Sequence, residues 1–251
     1  MRTEIVLRIH RQDRPDSKTY VQEFRVPYRP RLNLIACLQE VARNPVDAAG
    51  RSVAPPAWDA NCLEEVCGSC TVLVNGKPRQ ACSTLVDSLP EGPVDLAPLS
   101  RFPVLRDLVV DRSTMFESLK RIQGWVPIQG TYDLGPGPKR SPAEQAEAYV
   151  FSRCMTCGCC MEACPNFSGE DPGQFIGPAP LGQAYYFLLH PTGRMQEGER
   201  LDRLMSRGGI AGCGNAQNCY AVCPKEIPLT EAIAKLNRKV NRHWLARMFA
   251  R

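Results

Sequence analysis

The sequence lacks the short motifs with which many enzymes build an active site. It has no GxGxxG segment after a predicted strand, no P-loop and no GxSxG nucleophile elbow. Its three histidines, His10, His190 and His243, are scattered, and we interpret each as a surface or capping residue rather than a ligand or a base. We therefore predict that the chain by itself holds no substrate site.

Long apolar runs are missing as well. A membrane-spanning helix needs about 18 or more consecutive apolar residues, and the longest stretches here, such as AYYFLLH at 184–190, are far shorter. The opening residues, MRTEIVLRIH, alternate apolar and polar side chains and lack the apolar core and cleavage site of a signal peptide. We expect the chain to fold in the cytoplasm or in an equivalent reducing compartment.

The charge has no bias that would indicate a nucleic-acid partner. The net charge of +5 is dispersed, and no basic and aromatic cluster resembles a known binding motif. Only residues 235–251 concentrate basic side chains beside Trp244, Leu245, Met248 and Phe249. This segment is interpreted either as a basic helix that faces a membrane partner or anionic lipid, or as an ordinary solvated helix end.

Cysteine is the residue that the sequence has in excess. Most of its 13 cysteines lie in three tight groups, at residues 62–82, 154–164 and 213–223. A secreted disulfide scaffold would be shorter, would carry a signal peptide and would spread its cysteines more evenly. In a reducing compartment, clustered cysteines indicate metal binding.

The periodicity of apolar residues predicts a strand-rich first part and a helical second part. The first part is predicted to contain two β-hairpins and one helix, with strands at 4–9, 20–26, 71–74 and 79–86 and the helix at 32–43. Asn75-Gly76 is predicted to form the tight turn of the second hairpin. Cys37 lies in the apolar stripe of the helix and is interpreted as a small core residue. Beyond a glycine- and proline-rich segment at 130–142, helices are predicted at 143–154, 181–190, 199–206 and 229–248.

The first cysteine group predicts a 2Fe–2S cluster. Cys62, Cys67 and Cys70 follow the plant-type spacing C-x4-C-x2-C, and Cys82 comes after eleven further residues. This set supplies two thiolates for each iron, and Gly68 allows the loop to wrap closely around the cluster. The alternative is a zinc site, but zinc ligands usually come as two matched C-x2–4-C pairs, and this group has no second pair.

The second and third groups predict two further clusters that exchange a ligand. The bacterial ferredoxin run is C-x2-C-x2-C-x3-C-P, and its fourth cysteine ligates the other cluster. The stretch CMTCGCCMEACP matches this run, so a 4Fe–4S cluster is predicted to be held by Cys154, Cys157, Cys160 and Cys223. Cys159 falls outside the register, and we expect it to pack beside or behind the ligands.

The remaining cluster has one ligand too few. Cys164, Cys213 and Cys219 supply three thiolates, and Ala216 occupies the position where the run would have its second cysteine. A cuboidal cluster with one unligated corner readily lacks that iron, so we predict a 3Fe–4S cluster, with a water-capped 4Fe–4S cluster as the alternative. Three redox centres in one chain indicate an electron relay.

These motifs resemble those of the iron–sulfur subunits of succinate dehydrogenase and fumarate reductase, the respiratory complex II family. The resemblance covers nearly the whole chain, from CLEEVCGSC through CMTCGCCMEACP to CGNAQNCYAVCPKEIPLT. The segments RDLVVDRS, GTYDLGPGP, FIGPAPLGQA and HPTG look most similar to the menaquinone-linked branch, whose membrane anchor is a single di-haem cytochrome b.

The resemblance implies an α+β fold with two ferredoxin domains. A beta-grasp 2Fe–2S domain is expected at 1–110, a connecting segment at 111–142 and an all-helical ferredoxin domain at 143–251. The implied partners are a flavoprotein with covalent FAD and the dicarboxylate site, docked near the 2Fe–2S cluster, and a cytochrome b anchor with haem b. Single electrons are then expected to pass from FAD through the 2Fe–2S, 4Fe–4S and 3Fe–4S clusters to the quinone or haem of the membrane anchor, or in reverse for fumarate reduction. Menaquinone is the quinone expected to react at the anchor. The expected location is the cytoplasmic face of the bacterial inner membrane.

The sequence departs from the ubiquinone-linked relatives at two positions. Those relatives carry a tryptophan shortly after the proline that corresponds to Pro165 and a histidine directly after the cysteine that corresponds to Cys213, but this chain reads PNFSGED and CGN there. We therefore assign no quinone ligand to this chain. The alternative functions are a relay subunit of another flavoprotein oxidoreductase and a structural zinc-binding module.

Overall fold

The computed structural model of the protein describes residues 3–127, 139–170 and 175–249. The chain divides into two compact units, and each unit is built from two stretches of sequence. The first unit contains Met1–Arg112 and Met155–Ala163, and the second contains Ser113–Cys154 and Cys164–Arg251. Most of the glycine- and proline-rich segment at 130–142, up to residue 138, lies outside the described residues.

A five-stranded mixed sheet forms the frame of the first unit. Its strands are β1 (Glu4–Arg11), β2 (Tyr20–Pro27), β3 (Thr71–Val74), β4 (Lys77–Gln80) and β5 (Val94–Ala97). They lie in the order β2-β1-β5-β3-β4. β1 pairs antiparallel with β2 and parallel with β5, while β3 pairs antiparallel with both β4 and β5.

The core of this unit lies between the sheet and helix α1 (Leu34–Arg43). The alternation of β1 places Ile5, Leu7 and Ile9 on one buried face, as the period-two pattern predicts. The side chain of Asn33 caps the helix, because its Oδ1 accepts a hydrogen bond of 2.8 Å from the backbone N–H of Ala36. The buried stripe of α1 packs into the same core, and it consists of Leu34, Ile35, Cys37, Leu38 and Val41.

The hairpin that leads to the fourth predicted ligand is shorter than the sequence predicts. Its turn is confirmed, since Asn75 and Gly76 both adopt positive φ angles, 48° and 76°. Strand β4, however, ends at Gln80, so the predicted strand at 79–86 is wrong beyond that residue. The chain turns there because the backbone N–H and the hydroxyl of Thr84 both donate to the carbonyl of Gln80, at 3.1 and 2.8 Å.

A buried ion pair attaches β1 to a small hairpin of β6 (Val104–Arg106) and β7 (Val109–Val110). Arg11 Nε donates to Asp107 Oδ1 at 2.8 Å, and the side chains are 1% and 0% exposed. The same carboxylate also accepts from the backbone N–H groups of Gln12, at 3.1 Å, and Ala57, at 2.7 Å. Asp107 therefore connects three segments of the first unit.

Replacing Asp107 with alanine is expected to destabilise the protein strongly. The change leaves the Arg11 guanidinium buried without its counter-charge, and breaking a buried pair in this way costs about 3–5 kcal/mol. Denaturant unfolding followed by circular dichroism measures the loss. Glu23→Ala is the matched control, because it removes the exposed Arg8–Glu23 pair and should cost at most about 1 kcal/mol. Equal losses in the two variants would contradict the prediction.

The second unit is helical. Its helices are α2 (Ser113–Arg121), α3 (Pro142–Ser152), α5 (Pro178–Leu189), α6 (Glu197–Met205), α7 (Asn218–Ala221) and α8 (Leu229–Phe249), while the short α4 (Cys159–Glu162) belongs to the first unit. The mostly buried α5 packs against α2, α3 and α8. Gly182 allows α5 and α8 to approach, since a Cβ there would lie 2.6 Å from Leu229 Cδ2.

The strand-rich first part and the helical second part that the periodicity predicts are thus confirmed. Within the described ranges, none of the helices combines the length and the apolar character that crossing a membrane requires.

Candidate iron–sulfur sites

The loop between α1 and β3 and the turn after β4 bring the first cysteine group together in two pairs. Cys62 and Cys67 are in contact, since the backbone N–H of Cys67 lies 3.3 Å from Cys62 Sγ. Cys70 and Cys82 form the second pair, whose side chains are hydrogen-bonded to each other. Two contacting pairs match a 2Fe–2S cluster, which binds two thiolates on each iron.

Backbone N–H groups surround the sulfur of Cys62. Glu64, Val66 and Cys67 donate their N–H groups to Cys62 Sγ at 3.4, 3.3 and 3.3 Å. Positive φ angles at Leu63 and Glu65, 61° and 54°, turn the chain so that these donors converge. Donors around a ligand sulfur stabilise negative charge there, which is the condition for an iron-bound thiolate.

The pKa values of Cys67 and Cys70, one from each pair, are shifted in opposite directions. The pKa of Cys67 is lowered to about 6, chiefly by a hydrogen bond from the Ser69 side chain and then by the backbone N–H of Cys62. Burial, in contrast, raises the pKa of Cys70 to about 12. The hydrogen bonds to Cys67 thus favour its thiolate form, whereas burial disfavours the thiolate of Cys70 unless the positive charge of a metal compensates for it.

Arg112 connects this loop to the start of the second cysteine group. Its guanidinium donates to the carbonyls of Gly68, Ser69 and Cys157 at 2.7, 2.6 and 3.2 Å. Gly68 has a φ angle of +73°, and a Cβ on it would lie 2.7 Å from the Cα of Cys157. The two loops are thus in direct backbone contact. Glycine at position 68 leaves the space for this contact, and the guanidinium of Arg112 bonds to carbonyls of both loops.

The short helix α4 carries Cys160 and is held by a buried carboxylate. Glu162 accepts hydrogen bonds from the backbone N–H and hydroxyl of Ser100 at 3.0 and 2.6 Å, and from the N–H of Arg101 at 2.9 Å. Gly158, at the start of the helix, has a φ angle of +90°. These contacts hold Cys157 and Cys160 within the first unit.

The other two predicted 4Fe–4S ligands belong to the second unit. Cys154 lies just after α3, where its N–H donates to the carbonyl of Phe151 at 3.3 Å. Cys223 lies two residues after α7, and its sulfur accepts from the N–H of Ile227 at 3.4 Å. The ligation of a single cluster by Cys154, Cys157, Cys160 and Cys223 stays a prediction.

The three remaining cysteines line one cavity within the second unit. Cys164, Cys213 and Cys219 share this cavity with Ala216. Burial raises the pKa of Cys219 to about 11, and the negative charges of Cys164 and Cys213 contribute to the increase. The buried thiol of Cys219 loses its proton readily only beside a compensating positive charge, and three cysteines around one cavity can bind a metal that supplies this charge, so the cavity fits iron.

The loop of the three-cysteine cavity is shaped by Asn166. Its Nδ2 donates to the carbonyl of Gly212 at 2.8 Å, and a Cβ on Gly214 would lie 2.9 Å from the same nitrogen. The position at which ubiquinone-linked relatives are expected to carry histidine is therefore packed against a side chain in this structure.

Among the described residues, no group of three or more His, Cys, Asp or Glu side chains is arranged to hold one metal ion. The ligands of iron–sulfur clusters need no such arrangement. In a 2Fe–2S cluster two thiolates bind each iron, and in a cuboidal cluster each thiolate binds a different iron.

Three residues that support the cysteines escaped the sequence analysis: Gln80, Arg112 and Glu162. Their partners lie 43 to 79 residues away along the chain. No local sequence pattern marks such contacts. Glu162 is the partial exception, because a charged residue within a run of cysteines indicates a polar contact near the ligands.

Comparisons with known proteins define the class. A family model described as 2Fe-2S iron-sulfur cluster binding domain matches residues 6–117, and one described as 4Fe-4S dicluster domain matches residues 150–227. The protein is therefore an iron–sulfur protein with a 2Fe–2S domain followed by a dicluster domain.

Individual relatives narrow the class to one family. The succinate dehydrogenase iron–sulfur subunit of Bacillus subtilis (strain 168) is 55% identical over 233 residues, which cover 93% of this chain and 91% of the relative. The fumarate reductase iron–sulfur subunit of Wolinella succinogenes is 31% identical over 229 residues, covering 89% and 91%. The chain belongs to the family of succinate dehydrogenase and fumarate reductase iron–sulfur subunits.

A solved structure supports the fold. A chain of the Mycobacterium smegmatis Sdh1 complex in the apo form matches with a TM-score of 0.76 and 24% identity, and the match covers 96% of each chain. At this identity the likeness shows the fold alone. The predicted fold class is confirmed: a beta-grasp 2Fe–2S domain is followed by a helical ferredoxin domain.

Proposed function

We propose that this chain is the electron-transfer subunit of a succinate:quinone oxidoreductase, working towards succinate oxidation or fumarate reduction. The observation that carries the proposal is the pairing of Cys62 with Cys67 and of Cys70 with Cys82 in the first unit, together with the cavity lined by three cysteines within the second unit. When bound, iron–sulfur clusters supply sites that accept and release one electron at a time. The chain's own residues hold, bury and hydrogen-bond these sites.

The ligand assignment follows the cysteine registers. We assign to the 2Fe–2S cluster Cys62, Cys67, Cys70 and Cys82. We assign to the 4Fe–4S cluster Cys154, Cys157, Cys160 and Cys223. We assign to the 3Fe–4S cluster Cys164, Cys213 and Cys219, a set supported by their common cavity and by Ala216 beside them.

The proposed flavoprotein partner carries covalent FAD and the dicarboxylate site. Leu63 and Val66 support docking near the 2Fe–2S loop, because these apolar side chains are 50% and 59% exposed beside Cys62. Exposed apolar side chains next to a functional group are typical of protein interfaces. Docking there would shorten the distance from the flavin to the first cluster.

The proposed membrane partner is a di-haem cytochrome b that carries haem b and reacts with menaquinone. The end of α8 supports it, since Trp244, Leu245, Met248 and Phe249 are all exposed on the last turns of this helix. An apolar helix end among basic residues suits contact with a membrane subunit or with the lipid interface. We accordingly place the chain on the cytoplasmic face of the bacterial inner membrane, held there by its partners.

Low-temperature EPR of membranes that contain the chain with its native partners tests the function. We expect a sharp signal from the oxidised three-iron cluster that disappears when succinate is added, while the signal of the reduced 2Fe–2S cluster appears. Adding a menaquinone analogue should then restore the oxidised signal. Malonate, a competitive dicarboxylate, is the control and should slow the reduction.

Other outcomes would refute separate parts of the proposal. If dithionite reduces the clusters and succinate does not, the relay stands and the succinate-linked flavoprotein is wrong, which favours another flavoprotein oxidoreductase. A colourless protein that contains zinc and gives no EPR signal would establish the structural zinc module instead.

A further inference from the structure

Arg112 lies between strand β7 and helix α2, and three backbone carbonyls converge on its side chain. Its Nη1 donates to the carbonyls of Gly68 and Cys157 at 2.7 and 3.2 Å, and its Nη2 donates to the carbonyl of Ser69 at 2.6 Å. All four residues belong to the first unit. One guanidinium therefore bonds to two different cysteine loops.

These two loops carry proposed ligands of two different clusters. Gly68 and Ser69 stand between Cys67 and Cys70, which belong to different pairs of the proposed 2Fe–2S ligands. Cys157 is a proposed ligand of the 4Fe–4S cluster. The positive charge of the guanidinium thus lies beside the ligand loops of both clusters.

The backbone that leads to Arg112 is fixed by the frame of the first unit. The N–H of Asp111 donates to the carbonyl of Pro103 at 2.8 Å, and the N–H of Leu108 donates to the carbonyl of Ala57 at 3.2 Å. These bonds hold the hairpin of β6 and β7, from which Arg112 extends. The guanidinium is therefore presented to the two loops from a third, separately anchored segment.

The charge of Arg112 is not neutralised by a carboxylate within the described ranges. Its side chain forms no ion pair there, and its hydrogen bonds go to the three carbonyls. Arg112 is also half-buried, and partly buried charges are screened less by salt than exposed ones. Because an arginine carries a permanent positive charge, the two loops lie beside a fixed cation.

We propose that Arg112 is a positioning residue of the electron relay, whose shared positive charge raises the reduction potentials of the 2Fe–2S and 4Fe–4S clusters together. Reduction adds one negative charge to a cluster, and a nearby cation stabilises that charge. The step served is the passage of one electron from the first cluster to the second, in which no bond or proton moves and the electron comes from the proposed flavoprotein. The inference rests on the proposed function and its ligand assignment.

The test compares Arg112→Met with Arg112→Lys in the intact complex, using redox titration with dithionite followed by EPR. Methionine has neither the charge nor the donors. A unit charge about 10 Å away, at an effective dielectric constant of about 20, changes an equilibrium constant on the order of tenfold. We expect the reduction equilibrium constants of both clusters to fall by about this factor, and tenfold corresponds to about 59 mV for a one-electron couple. Lysine keeps the charge without the planar fork, so it should restore most of both shifts.

Two controls and one further variant complete the test. Arg14→Met removes an exposed charge in the turn between β1 and β2 and should leave both potentials nearly unchanged. The 3Fe–4S signal of the same samples is the internal reference, because its proposed ligands belong to the second unit. Arg112→Gln keeps a hydrogen-bond donor without the charge and should lower both potentials as methionine does. This variant decides the question if Arg112→Met fails to assemble its clusters.

The outcomes separate this inference from the proposed function. Equal falls with methionine and lysine would show that Arg112 acts through its contacts and not through its charge. A fall confined to one cluster would show that the charge is not shared, and unchanged potentials would show that it has no effect. Each of these results overturns the inference and leaves the relay intact. Because the titration uses dithionite, a wild-type complex that succinate does not reduce would refute the succinate-linked partner and leave this inference standing.

Discussion

Gly68→Ala is expected to prevent the first unit from assembling its 2Fe–2S cluster. Gly68 has a φ angle of +73°, and an L-residue in this region costs about 1–2 kcal/mol. The added Cβ would also lie 2.7 Å from the Cα and 2.8 Å from the Cβ of Cys157. Overpacking of this kind costs about 1–3 kcal/mol. Together these costs amount to roughly 2–5 kcal/mol, a large part of a typical domain's stability.

The clash cannot be relieved by a simple side-chain movement. The atoms in question include the backbone of Cys157, and Arg112 holds both backbones through the carbonyls of Gly68 and Cys157. Separating the loops would break these hydrogen bonds and move a proposed 4Fe–4S ligand. We therefore expect both the 2Fe–2S and the 4Fe–4S contents to fall in the variant.

Two other glycines separate the backbone cost from the clash. Gly50 has a φ angle of +78° and would bring no atom within 4 Å of a new Cβ, so Gly50→Ala measures the backbone cost alone. Gly158, in the second cysteine loop, has a φ angle of +90°, and the atom nearest to a new Cβ there would be 3.6 Å away. Gly158→Ala therefore measures the backbone cost within a cysteine loop without a clash. Visible absorption, iron and sulfide content and thermal unfolding measure the effects. If Gly68→Ala behaves like Gly50→Ala, the contact between the loops has no importance for assembly.

Ala216→Cys is expected to convert the 3Fe–4S cluster into a 4Fe–4S cluster. Ala216 occupies the register position of the absent cysteine, and it lines the same cavity as Cys164, Cys213 and Cys219. A fourth thiolate there would bind the fourth iron. The oxidised three-iron EPR signal should then be lost, and a signal from a reduced 4Fe–4S cluster should replace it.

Ala216→Ser is the matched control for this conversion. Serine has nearly the volume of cysteine but provides a hydroxyl, which is a far poorer ligand for an iron–sulfur cluster than a thiolate. It should leave the three-iron signal largely unchanged. An unaltered three-iron signal in Ala216→Cys, with iron content as before, would show that the ligand register is wrong.

The cysteine registers were readable in the sequence because cluster ligation imposes short, repeated spacings on the chain. The tight turn at Asn75-Gly76, the alternation of β1 and the apolar stripe of α1 could also be predicted from the sequence, because each depends on residues only a few positions apart. The end of β4 was not readable. The pattern at 79–86 continues as a strand would, but Thr84 folds back onto Gln80 and ends it.

By itself, then, the sequence determined which cysteines form groups and which parts of the chain are strand-rich or helical, and it predicts that position 216 lacks a ligand. Only the tertiary structure decided what surrounds the sulfurs. Gln80 reaches Cys159 across 79 residues, Arg112 reaches Gly68 across 44 and Glu162 reaches Ser100 across 62. Hydrogen bonds over such separations depend on how the sheet and the cysteine loops pack, and packing has no signature in local spacing.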